Sequence, residues 1–284
     1  MKYSVFSVMA HDQSPEELLP IMKEAGYQAV EWRFKETPES VKQEQTSFWG
    51  NNKCTIDPGA SDDQLAKLKQ LTAEYGIETL SVTPYLTDDL EETERVLKVA
   101  SKLDASFIRL GVPKYNREEN FQELFENARQ YMKEAEKLCS KYGVKGLIET
   151  HHNTIATSAS AAFRLLEGLD SKYVGVLYDP GNMVHEGYEN HLLGMQLLGD
   201  YLAHIHMKNA IWVKDAETDS GEVKWQVDWA PVEKGIVDWQ QVIKDLKSVG
   251  YDGYIGIEDF SNQYDTATAL GHNYKWLEKW TQQF

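Results

Sequence analysis

Apolar and polar positions along this chain follow two alternating periods. Short runs rich in Val, Ile, Phe and Tyr are each followed by a longer charged stretch whose apolar residues recur every three to four positions. The runs predict strands at 3–8, 29–34, 79–83, 107–110, 146–149, 175–178, 203–207 and 254–258. The stretches between them predict helices. The first opens at Ser14-Pro15-Glu16-Glu17, with Ser at the N-cap, Pro at N1 and Glu at N3, and carries Leu18, Leu19 and Met22 as far as Gly26. The second opens at Ser61-Asp62-Asp63 and turns Leu65, Leu68 and Leu71 inward as far as Tyr75-Gly76. Further helices are expected near 88–103, 120–142, 158–169, 191–198, 238–249 and 265–282.

Eight strand-plus-helix units, with no Gly/Ser/Pro-rich linker between them, fit one (β/α)8 TIM barrel occupying 1–284 as a single domain. An open doubly wound sheet would call for a GxGxxG turn after its first strand, and the chain has none there. Two connections are long, 35–60 after the second strand and 209–237 after the seventh. Both leave strand C-termini, the functional face of a barrel, where long loops cover a site or build an oligomer contact.

Charge narrows the partners. The chain has 45 Asp and Glu against 29 Lys and Arg, a net charge of −16, which opposes nucleic acid and anionic membranes. No run approaches the ~18 apolar residues of a spanning helix. Only Cys54 and Cys139 occur, so a disulfide framework is not expected and a reducing, cytoplasmic setting is. The first ten residues read as a strand rather than a cleaved signal.

In a barrel the strand C-termini converge on one mouth, so the residues standing there matter most. Glu149 ends the fifth strand, Asp179 follows the sixth, His206 lies near the end of the seventh and Glu258 ends the eighth. Three carboxylates and one imidazole suit a hard or borderline divalent ion with positions left for substrate oxygens. His204 and His206 share a face, and His206, nearer the mouth, is the better ligand. Taken singly, such residues are more often solvated acids or hydrogen-bonded core histidines. Four at one topological level are harder to dismiss. Arg109 and Lys208 are the cations best placed to hold a substrate oxygen, although one residue of register would turn Arg109 outward to a helix.

The strings Ile148-Glu149-Thr150-His151, Tyr178-Asp179-Pro180-Gly181-Asn182, His204-Ile205-His206-Met207-Lys208-Asn209 and Gly256-Ile257-Glu258 resemble the sugar phosphate isomerase/epimerase superfamily of xylose isomerase-like TIM barrels. The resemblance runs from the opening strand and Glu31-Trp32-Arg33 to Glu258. It implies one divalent ion, Mn²⁺ foremost and otherwise Mg²⁺, Co²⁺ or Zn²⁺, held by Glu149, Asp179, His206 and Glu258. It also implies that Glu149 and Glu258 act as acid and base on opposite faces of a substrate and that His151 contacts that substrate; Asn182, Lys208 and Arg109 are the further expected substrate contacts. The chain departs from the superfamily's trinuclear nucleases, which have further histidines where Arg33, Thr83-Pro84-Tyr85 and Asn182 stand. It departs from ketose 3-epimerases at Asn182 and Lys208. The expected activity is a metal-dependent isomerase or epimerase acting on a sugar, cyclitol or related polyhydroxy carbonyl compound through an enediolate. Loss of a β-hydroxyl from the same enediolate would instead make it a dehydratase. A carbohydrate-binding barrel without catalysis is the third reading, and a homo-oligomer is the superfamily tendency.

Overall fold

The computed structural model describes residues 1–284. The chain runs β1 (Lys2–Phe6), α1 (Pro15–Ala25), β2 (Ala29–Phe34), β3 (Thr55–Ile56), α2 (Asp62–Tyr75), β4 (Glu78–Thr83), α3 (Leu90–Lys102) and β5 (Phe107–Arg109). It continues through α4 (Phe121–Tyr142), β6 (Lys145–Glu149), α5 (Ala159–Leu166), β7 (Val174–Tyr178), α6 (Pro180–Glu186), α7 (His191–Leu198) and β8 (Leu202–Met207). Last come β9 (Asn209–Glu217), β10 (Val223–Ala230), α8 (Trp239–Ser248), β11 (Tyr254–Ile257) and α9 (Thr266–Thr281).

Eight strands form a closed parallel barrel in the order β1, β11, β8, β7, β6, β5, β4, β2, and β1 seals it by pairing with both β11 and β2. All eight expected strands are present, with ends shifted by a residue or two. The first strand stops at Phe6 because Ser7–Met9 tighten into a 3₁₀ turn. The Ser14 capping box forms as read, Glu17 N–H donating to Ser14 Oγ and Ser14 N–H to Glu17 Oε2. Helix α1 then ends on Gly26 at φ 102°, a left-handed residue that a side chain would strain.

Alternation decides which side chains enter the barrel. On β2, Val30, Trp32 and Phe34 join the cluster of 57 buried residues between strands and helices, and Glu31 and Arg33 point the other way. Ile108, Ile148, Tyr178, Ile205, Met207, Ile255 and Ile257 repeat the outward pattern. Arg109, Glu149, His204, His206 and Glu258 occupy the inner positions between or beside them. The barrel lumen near the mouth is therefore polar, and most of the apolar burial lies outside it.

The two long connections are structured. The 35–60 segment adds β3 to the β2 edge and is held by Asn52, which donates to Val8 O and Phe48 O. The 209–237 segment contains an antiparallel hairpin, β9 with β10, that the periodicity does not indicate. Asn209 clamps the hairpin base by donating to Val232 O and Val237 O at 2.7 and 3.0 Å. No helix is long and apolar enough to cross a membrane.

Gly256 makes room inside the barrel, since a Cβ there would lie 2.3 Å from Glu31 Oε1 and 2.9 Å from Ser4 Oγ. Gly256→Ala should cost about 1–3 kcal/mol of stability through overpacking. Chemical denaturation would check this, and an unchanged midpoint would contradict it.

Candidate metal centre

Each strand-end residue arrives at the mouth from its own element. Glu149 ends β6. Asp179 leaves β7 and caps α6, its Oδ1 accepting from the Asn182 N–H at 2.9 Å. His206 lies on β8, and Glu258 follows β11 directly. All four are buried. His206 Nδ1 stands 3.6 Å from Glu258 Oε2, 3.7 Å from Glu149 Oε1 and 4.0 Å from Asp179 Oδ2. One atom from each residue fits within 4.8 Å of all the others.

The imidazole is aimed from behind. His206 Nε2 donates to Glu31 Oε2 at 2.9 Å, and Glu31 Oε1 lies 2.9 Å from His204 Nε2 and accepts from Ser4 Oγ at 2.8 Å. Burial would raise the Glu31 pKa, but His204 and His206 outweigh it and hold the carboxyl far below its usual range. An ionised Glu31 fixes the His206 tautomer, so that Nδ1 faces the carboxylates without a hydrogen-bond partner. A buried, unpartnered imidazole nitrogen opposite three carboxylate oxygens fits a divalent ion, and the lack of thiolate favours a hard or borderline one.

Cations brace the carboxylates. Arg109 Nη1 donates to Glu149 Oε2 at 2.6 Å, and Lys208 Nζ pairs with Asp179 Oδ2 at 2.8 Å and with Glu258 Oε2. Burial opposes ionisation of Glu149, yet Arg109 helps hold its pKa well below the ordinary value. Asp179 goes the other way, raised to about 6 by burial and, despite Lys208, by neighbouring Glu258 and Glu149. For His206, burial disfavours the charged ring, but Glu31, Glu149 and Glu258 raise its pKa well above normal. A proton and a metal ion would therefore compete for the same Nδ1.

The expected substrate contacts take varied positions. Arg109 turns inward to Glu149 rather than outward to a helix. Asn182 is buried, its Nδ2 donating to Asp179 Oδ2, Glu149 Oε1 and Thr150 O at 3.0, 3.1 and 3.2 Å, so it braces two carboxylates. His151 stacks on His152 at 4.3 Å, and His152 on His185 at 3.8 Å. Burial lowers the pKa of all three, His152 to about 3 and His185 to about 4, so they are neutral at pH 7. Lys208 lies against Trp229 and Phe260, with ring centroids at 4.9 and 5.3 Å. Phe48 and Trp49 from the 35–60 segment pack on Phe260, with ring centroids at 4.9 and 5.1 Å.

Glu31 is the residue of the candidate site that the sequence placed only in a resembling string. Its signal was an acid and a base two residues apart, Glu31 and Arg33, within an otherwise apolar strand. Glu31→Gln should weaken Mn²⁺ binding about 10–100-fold, read by titration calorimetry. Wild-type Mn²⁺ affinity should also fall as pH drops through about 6, where Asp179 regains its proton and His206 is charged. An affinity flat from pH 7.5 to 5 would contradict this assignment.

Comparison with known proteins gives a consistent frame. The model of the xylose isomerase-like TIM barrel family matches residues 19–280. An inosose dehydratase of Geobacillus thermodenitrificans (strain NG80-2) is 28% identical over 127 residues, 43% of this chain and 42% of that one. The alignment thus spans less than half of that relative. Among solved structures, IOLI protein with a zinc atom superposes at TM-score 0.74, with 17% identity over 100% of this chain and 99% of that one. The probable 3-DHS dehydratase AsbF of Bacillus anthracis superposes at TM-score 0.69, with 19% identity over 98% and 99%.

Proposed function

The chain belongs to the xylose isomerase-like TIM barrel family, and from that premise we propose that it is a metal-dependent dehydratase acting on a sugar, cyclitol or related polyhydroxy carbonyl compound. The observation that carries this reading is the buried quartet Glu149, Asp179, His206 and Glu258 with Lys208 ion-paired inside it. A divalent ion bound there would polarise the substrate carbonyl and stabilise the enediolate. Glu149, fixed at one oxygen by Arg109 and at the other by Asn182, takes the proton beside the carbonyl. The freed electron pair forms a carbon–carbon double bond as the β-hydroxyl departs. Lys208 gives that hydroxyl its proton, so water leaves, and proton return from Glu149 to Lys208 resets the site.

Two further points support elimination. Lys208 engages Glu258 directly, so that side presents an ammonium, which Asp179 and Glu258 keep protonated against burial, rather than a free carboxylate base. One partial sequence relative is an inosose dehydratase, and one similar fold is a probable 3-DHS dehydratase. Isomerisation or epimerisation is the second reading. It is favoured by the convergence of Glu149 and Glu258 on the same His206 nitrogen at 3.7 and 3.6 Å, an arrangement suited to taking a proton on one face and returning it on the other.

Mass spectrometry of polyol, ketose and inosose substrates incubated with the Mn²⁺-loaded protein distinguishes the two. Loss of one water is expected, whereas an isobaric product would select the second reading. Glu149→Gln should lower turnover about 10²–10⁴-fold. Lys208→Met should lower water loss to a similar degree while deuterium still exchanges at the carbon beside the carbonyl. If the protein takes up no divalent ion and turns over nothing, it is a binding barrel.

A further inference from the structure

Two cationic side chains are fully buried, Lys208 at 2% and Arg33 at 1% exposure. Lys208 is neutralised by Asp179 and Glu258. Arg33 makes no ion pair, although the chain has 16 more acidic than basic residues. Its Nη1 donates to Thr55 Oγ1 at 2.7 Å and its Nη2 to Trp49 O at 3.3 Å, both neutral acceptors. Its Nε is buried with no partner at all. A guanidinium cannot shed its charge as a lysine can, so burial without a counter-ion is costly.

The position of Arg33 ties it to the metal centre. It follows Glu31 by two residues on β2 and so shares the inner face, one pleat, about 7 Å, nearer the mouth. Glu31 orients His206, which places the Arg33 guanidinium on the mouth side of that layer. Arg33 and Arg109 both lie against the Tyr85 ring, at 5.8 and 4.9 Å from its centroid, and Arg109 reaches Glu149.

We propose that Arg33 anchors a carboxylate on the substrate, which makes the compound a sugar acid or cyclic hydroxy acid. This narrows the function proposed above and rests on that reading for the position of the reacting carbons. Charge counting selects a carboxylate. The four carboxylates Glu31, Glu149, Asp179 and Glu258 would be balanced by Arg109, Lys208 and one divalent ion, which leaves one buried cation for one negative charge, whereas a phosphate dianion would leave a charge unmatched. Lys35, also against Tyr85, is exposed. A planar carboxylate also suits the side of the guanidinium whose Nε is free.

Calorimetric titration of the Mn²⁺-loaded protein with matched aldose, uronate and sugar 6-phosphate probes on gluco and galacto frames tests the anchor. The uronate should bind about 10-fold or more tighter than the aldose. Arg33→Met should bring that ratio to within about twofold of unity, and Arg33→Lys should leave an intermediate value. Unchanged Mn²⁺ affinity would show that the variants keep the fold and the metal centre. If Arg33→Met loses Mn²⁺, Arg33→Lys with Mn²⁺ retained carries the test. Equal affinities in the wild type, a preference that survives in the variant, tighter binding of the phosphate, or no uronate binding overturns the proposal. An Arg33-dependent uronate preference without any water loss on turnover would leave the anchor standing and refute the dehydratase reading.

Discussion

The site depends on one buried carboxylate. Glu31 sits inside the barrel, takes the Ser4 hydroxyl and faces the Nε2 atoms of both His204 and His206. Its negative charge can persist without water because two imidazoles and a hydroxyl replace the lost hydration. In return it turns one ring so that Nδ1 faces the mouth. Gly256 is the geometric condition for this layer, because any side chain there would occupy the space of the carboxylate. The plane of candidate metal ligands is therefore built on a polar floor, and the apolar packing that stabilises the barrel is kept to the opposite face of each strand.

Above that floor the mouth is a problem in charge balance. Glu149, Asp179 and Glu258 are buried within a few ångströms of one another, and Arg109, Lys208 and the His206 ring offset them. Burial, joined by like-charge repulsion from Glu258 and Glu149, pushes Asp179 up to about 6 even with Lys208 beside it. Such a cluster favours any group that brings positive charge, whether proton, ammonium or divalent ion, and the selectivity among them comes from donor geometry.

Most of the barrel was legible because alternation is a strong signal where strands face helices on one side. Glu149, Asp179, His206 and Glu258 were legible for a related reason, since each stands at or near the end of an apolar run. What escaped was what depends on contacts distant in sequence. Arg109 and Asn182 find their partners on other elements, so no local pattern shows that they brace Glu149 rather than stand free. The β9–β10 hairpin was hidden because most of it faces solvent on both sides, and its charges at Lys214, Asp215, Glu217 and Lys224 blur the period-two pattern. Helix α6, which the sequence reading did not include, begins inside Asp179-Pro180-Gly181-Asn182, where the Asp179 side chain caps it.

The closure of the barrel has a kinetic meaning. Strand β1 pairs with β2 nearby in sequence and with β11 some 250 residues later, Lys2 against Tyr254 and Val5 against Ile257. Ring closure therefore waits for nearly the whole polypeptide, and contacts of such separation are slow to form. During synthesis, β1 presents an unpaired edge, and Glu31 lacks His204 and His206 until β8 has emerged. Until that stage is passed, the open edges of the sheet are exposed to pairing with other chains.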